Sequence, residues 1–176
     1  MKKSVLWLFF AGCVATGIFG IGRKIPMNRV NDLGQREGYW RDSVGGGFVY
    51  DLYYKGGKKD GLYKRFYRNK LFLFGEYTAD NISGTWYMFG DEGELRCTID
   101  SIELNKDSIY TGYCRIFCKY KCHSIDYYPS GAVKSEGYMV CDEEFEIEIW
   151  EIGEWKYYDE SGNLIKTKDY GDRRTP

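Results

Sequence analysis

Gly84-Thr85-Trp86-Tyr87-Met88-Phe89-Gly90-Asp91-Glu92-Gly93-Glu94-Leu95 and Gly153-Glu154-Trp155-Lys156-Tyr157-Tyr158-Asp159-Glu160-Ser161-Gly162-Asn163-Leu164 carry one pattern, G-x-W-x-x-[F/Y]-x-x-x-G-x-L, 69 positions apart. An aromatic, a second aromatic three residues on, a glycine-bearing turn and an aliphatic residue read as strand, tight turn, strand. Glycine supplies the positive φ that such turns need, and the Asp-Glu and Glu-Ser pairs before it favour turns. A lone hairpin is marginal in water, so these units must stack to bury their rings.

Weaker copies keep the frame. Gly61-Leu62-Tyr63 leads to Phe66, Lys70 and Phe72, and Gly38-Tyr39-Trp40 leads to Gly47 and Val49. Tyr127-Tyr128-Pro129-Ser130-Gly131-Ala132-Val133 keeps the second half only. Leads at 38, 61 and 84 are 23 residues apart, while later intervals are longer and imply insertions. No unit is readable between 96 and 121, which predicts an irregular, cysteine-rich insertion there.

These phrases, with Gly57-Lys58-Lys59-Asp60-Gly61-Leu62-Tyr63, resemble MORN-variant repeats of the YwqK-like type over roughly residues 34 to 170. The resemblance implies an all-β fold, an elongated antiparallel β-meander of successive hairpins. Members of that family carry an antitoxin label, and MORN-like proteins in general act as scaffolds for proteins or lipids. The resemblance brings no catalytic motif.

The amino terminus speaks about location. Met1-Lys2-Lys3 precedes an uncharged run from Val5 to Gly22, the layout of an export signal. Within it, Phe10-Ala11-Gly12-Cys13 resembles a bacterial lipobox, which makes Cys13 the lipidation residue and a membrane anchor. A signal cleaved later, around Gly17 to Gly22, and an uncleaved anchor are the competing readings. Each places the domain outside the cytoplasm, in or on a bacterial cell envelope. The expected organisation is a leader at 1–22, a linker at 23–36, the repeat domain at 37–170 and a tail at 171–176.

Aromatic content of 18%, with 17 Tyr, 22 Gly and 3 Pro, describes a turn-rich β chain with enough rings for a moderate core. No long stretch has helical periodicity, and Phe145-Glu146-Ile147-Glu148-Ile149 alternates like a half-solvated strand. A net charge of −1 hides two blocks. Lys58, Lys59, Lys64, Arg65 and Arg68 fall in a basic segment that suits an anionic surface such as phospholipid headgroups. Residues 142 to 160 hold nine acids against Lys156, the natural contact for a cognate effector if the protein is an antitoxin. Nucleic acid is not expected as a partner of an exported chain.

Five cysteines besides Cys13 remain: Cys97, Cys114, Cys118, Cys122 and Cys141. In an oxidising envelope they read as disulfide partners with one left over. Zinc is the competing reading for Cys114, Cys118 and Cys122, but the spacing is not that of C-x2-C knuckles. On a strand the trio would spread over about 26 Å. His123 is the only histidine, and its neighbour Cys122 would point the other way on a strand, so no catalytic residue and no cofactor is expected. The expectation is a non-catalytic surface for a protein or lipid partner. The aromatic ladder Trp40, Tyr63, Trp86 and Trp155 is its first candidate, provided some of those rings are partly exposed. An antitoxin and a cell-wall carbohydrate-binding module are the alternatives.

Overall fold

Turn chemistry organises the chain. In a computed structural model, which describes residues 26–106, 118–142 and 150–171, one hydrogen-bonded turn recurs four times. In Gly90–Glu94, Tyr128–Ala132 and Asp159–Asn163 the first residue's N–H donates to the carbonyl of the fifth, and the fourth, a glycine, donates back to the first. Gly93, Gly131 and Gly162 take φ of 85°, 86° and 82°, the left-handed region that the turn demands. The fourth copy, Asn31–Gln35 with Gly34 at 74°, falls where a linker was expected.

Shorter turns join three further hairpins. Gly56-Gly57, Arg68-Asn69 and Ala79-Asp80 each place both central residues at positive φ, the two-residue turn whose twist matches that of paired strands. Ala79 has no side-chain acceptor to favour that region, so Asp80 anchors the turn. Its Oδ1 accepts from the Lys59 N–H at 2.7 Å, and its own N–H donates to the Lys59 carbonyl.

Between these turns run eleven strands: β1 (Arg29–Val30), β2 (Arg36–Ser43), β3 (Phe48–Lys55), β4 (Lys58–Tyr67), β5 (Lys70–Thr78), β6 (Asn81–Phe89), β7 (Leu95–Leu104), β8 (Tyr120–Tyr127), β9 (Val133–Cys141), β10 (Trp150–Tyr158) and β11 (Leu164–Asp169). They form one open antiparallel meander in strict chain order. The stretch expected to be irregular therefore opens with a ten-residue strand, β7, paired with β6 and β8. Its alternation was hidden because Arg96-Cys97-Thr98 mixes residue types that sequence reading does not sort into inward and outward. The Phe145–Ile149 alternation, the leader with Cys13, and Cys114 lie outside the described residues.

Paired residues share a face, so register defines rows across the sheet. One row runs Trp40, Leu52, Tyr63, Gly75 and, across the next bulge, Trp86, Ile99, Ser124 and Gly137. A flanking row is unbroken: Asp42, Tyr50, Arg65, Leu73, Met88, Cys97, Asp126, Ser135, Tyr157 and Lys166. Both belong to the main hydrophobic cluster or border it. A flat single sheet leaves both faces wet, yet Trp86 and Ile99 are 0% exposed. The sheet therefore curls around this inner face.

The curl is built by the repeat's first glycine. Gly84, Thr85 and Trp86 together oppose the single residue Gly75, because Phe74 pairs Tyr87 and Glu76 pairs Ser83. Gly153, Glu154 and Trp155 oppose Gly137 in the same way. Gly84 and Gly153 take φ of 65° and 60°, so each G-x-W is a bulge and not a plain strand. Each bulge tips its tryptophan onto the opposing glycine: an added Cβ would lie 2.1 Å from the Trp86 ring at Gly75, and 2.5 Å from the Trp155 ring at Gly137.

Candidate functional site

The aromatic ladder is chiefly core. Tyr63, Trp86 and Trp155 are 6%, 0% and 4% exposed. Trp86 packs on Tyr63 and Tyr77 at 5.4 and 5.3 Å, and its Nε1 donates to the Ser83 carbonyl at 3.1 Å. The Trp155 Nε1 donates to the Tyr138 carbonyl at 2.8 Å. Trp40 alone is half-buried, with the Arg36 guanidinium 4.5 Å over its ring. The ladder as a whole therefore supplies burial, and Trp40 is the one member with ring surface left over.

The basic block is not brought together on one surface. Arg65 lies on the inner face, 6% exposed, with its Cζ 4.4, 5.3 and 5.5 Å from the rings of Phe48, Tyr50 and Phe72. It is a packed core residue and cannot contact an anionic surface, which corrects its sequence assignment. Lys64 is paired on the outer face between Asp51 and Phe74. The Lys59 ammonium sits 4.7 Å over Tyr77, while Lys58 and Arg68 are exposed at turns. Strand alternation divides Lys64 from Arg65, so a run of charge in sequence does not make a charged face.

Cys97, Cys118, Cys122 and Cys141 are free and buried, so the expected disulfides do not occur among the described residues. Cys122 and Cys141 come closest, Sγ to Sγ 3.3 Å, against about 2.0 Å for a bond. Cys122 opposes Met139 and Cys141 opposes Tyr120, so the two thiols stand diagonally. Their shared hydrogen bond, followed by burial, pushes the Cys122 thiol far above its usual range. Burial pushes Cys97 up to about 12, offset in part by the Ser124 hydroxyl at 3.3 Å. Cys118 joins Val140 and Ile152 in a separate cluster, away from Cys122, because it precedes the start of β8. His123 holds the Asp100 carboxylate at 3.4 Å and lies 5.3 Å from the Tyr138 ring, whereas Cys122 belongs to the inner core. No three His, Cys, Asp or Glu side chains converge among the described residues.

A cleft of about 580 Å³ opens on the inner face where β6 to β10 curl. Its floor includes Met88, Ile99, Met139, Trp155 and Tyr157, and its polar groups include Arg96, Asp126, Lys134, Ser135 and Glu151. Asp126 accepts from the Ser135 hydroxyl at 2.8 Å. The Tyr157 hydroxyl meets that of Tyr170 at 2.7 Å. Burial, that hydrogen bond and the nearby charges of Tyr170, Glu151 and Asp126 raise the Tyr157 phenol well above 10. Two ammonium groups from β11 cover the adjoining rings, Lys166 at 4.5 Å over Tyr157 and Lys168 at 3.9 Å over Tyr170.

Of these cleft residues only Trp155 and Cys97 were singled out from sequence, and neither as part of a cleft. The signal that finds them is period two: Tyr157 follows Trp155, Asp126 follows Ser124 and Cys97 precedes Ile99 on the same inward face. Against known proteins, the chain matches no family model, no curated protein and no solved structure.

Proposed function

We propose that this domain is a non-catalytic repeat array that presents its curled inner face to a protein or lipid partner in the cell envelope. The observation that carries the reading is the cleft: amphiphilic, lined by methionine, tryptophan and tyrosine, and edged by charged groups on strands that the bulges fix in place. Rigid aromatic and flexible thioether surface with a polar rim is the composition that interfaces favour. The MORN-like identity belongs to the same proposal. It is supported by the recurrent turn and by the left-handed lead glycine shared by the units at 38, 61, 84 and 153. Envelope location and lipidation at Cys13 rest on the leader sequence.

The test is crosslinking of the full-length protein in its native envelope, followed by mass-spectrometric identification of adducts. A discrete, reproducible protein or lipid adduct mapping to cleft residues is expected. Turnover of a substrate by the purified protein, or adducts scattered over the whole surface, would defeat the reading.

A further inference from the structure

The inner cleft carries charges of opposite sign that have no ion pairs among the described residues. Arg96, on β7 beside the Gly90–Glu94 turn, is exposed, and Lys134, on β9 beside the Tyr128–Ala132 turn, lies 6.0 Å over the Tyr128 ring; neither forms an ion pair among the described residues. Glu151 sits further along, opposite Met139 at the start of β10, and forms no ion pair among the described residues. Asp126 pairs Cys97 and Ser135 and so stands at the turn end beside Arg96 and Lys134, its carboxylate engaged by the Ser135 hydroxyl. From Lys134 to Met139 is five residues of β9, about 17 Å at about 3.4 Å per residue. Over its apolar floor the cleft therefore has two cations to one carboxylate at the turn end and the Glu151 carboxylate at the β10 start.

We propose that this cleft takes an extended polypeptide segment of a protein partner, with an acidic residue at Arg96 and Lys134 and a basic residue at Glu151, about five residues apart. This rests on the surface-presenting reading above and narrows it to one partner class. An extended chain matches the cleft in length. A lipid headgroup would meet only one of the two ends. Unpaired charges on a fixed scaffold favour the complementary order and penalise like charge at either end.

The experiment uses the full chain and three synthetic dodecapeptides of one serine–threonine background, read by fluorescence anisotropy. One carries glutamate and lysine five residues apart, one two glutamates, one two lysines. The mixed peptide is expected to bind at least tenfold more tightly than either of the others. Glu151→Lys makes both ends basic and should transfer the preference to the diacidic peptide. Arg96→Glu with Lys134→Glu, at exposed sites that leave packing intact, should transfer it to the dibasic one. Equal binding of all three peptides, binding of none, or the same switch from the exposed control Glu154→Lys would overturn the proposal. So would tighter binding of anionic phospholipid vesicles than of the mixed peptide, lost in the Arg96 and Lys134 variant. Envelope crosslinks that persist in both charge variants would sink the segment while leaving the surface reading standing.

Discussion

Replacing Gly75 with alanine tests the packing that joins repeat to curl. An added Cβ would stand 2.1 Å from Trp86 Cδ2, 2.4 Å from Cε2 and 2.5 Å from Cε3. Carbon atoms rest at about 3.5–4.0 Å, so the overlap is about 1 Å or more on three ring atoms. The ring cannot swing clear. It is 0% exposed, held by the Ser83 carbonyl and boxed by Tyr63 and Tyr77. Overpacking of this kind costs about 1–3 kcal/mol and occasionally more, and three clashing atoms place Gly75→Ala at about 3 kcal/mol. Trp86→Leu removes the clashing ring at its own cost of about 2–4 kcal/mol. In that background Gly75→Ala fills space instead of invading it, and its cost should fall to near zero, a coupling of about 2–3 kcal/mol. Gly84→Ala is the control, because its nearest atom, Glu76 Oε2, is 3.8 Å away and only φ of 65° opposes it. That substitution should cost about 1–2 kcal/mol in either background. Urea unfolding followed by far-ultraviolet circular dichroism reads all of these. An equal cost of Gly75→Ala with and without Trp86 would refute the glycine-under-tryptophan account.

Further outcomes follow from the same geometry. Arg65→Ala should destabilise the fold by about 2–4 kcal/mol through lost ring packing, whereas Lys58→Ala should stay within about 0.5 kcal/mol, both read by urea unfolding; parity between them would return Arg65 to the surface. Cys97, Cys118, Cys122 and Cys141 should resist maleimide in the native protein and all react after denaturation without reductant, by peptide mapping; a linked Cys122–Cys141 peptide would contradict the free thiols. Tyr157 keeps its proton in the fold at pH values where the unfolded chain, with its phenol near 10, loses it. Stability should therefore be intact below pH 10 and fall as pH rises above it, with the sign set by the folded state binding the extra proton. Tyr170→Phe should lower the Tyr157 transition in an absorbance titration, and no movement would dismiss the hydroxyl pair.

Architecture was legible where local chemistry dictates it. Gly93, Gly131 and Gly162 marked their turns, and aromatic spacing marked the strands, because turn φ and strand alternation are written in a few adjacent residues. The first glycine of each unit was visible as a repeat but not as a bulge. Its role depends on Gly75 and Gly137, which lie on partner strands, and a single sequence does not align partners. Asn31–Gln35 is as local as the other turns and was passed over because it precedes the first repeat unit; Asn31 Oδ1 accepts from Leu33 and Gln35 just as Asp159 Oδ1 accepts from Ser161 and Asn163. The candidate site was less legible. Trp86 and Trp155 draw the eye by size, and size is what sends them inside. The cleft is assembled from Arg96, Lys134 and Glu151 on three strands, and their common face exists only once register is set. The basic run at 58–68 failed as a surface for the converse reason, since neighbours in a strand face apart.

The central claim is that the inner face works and the outer face does not. Photo-crosslinking residues placed singly at Met88 in the cleft floor and at Leu62, which is 45% exposed on β4, test it in the native envelope. The account predicts a specific protein adduct from position 88, competed by the mixed-charge peptide, and none from position 62. Adducts from position 62 alone, or equally from both, would contradict it.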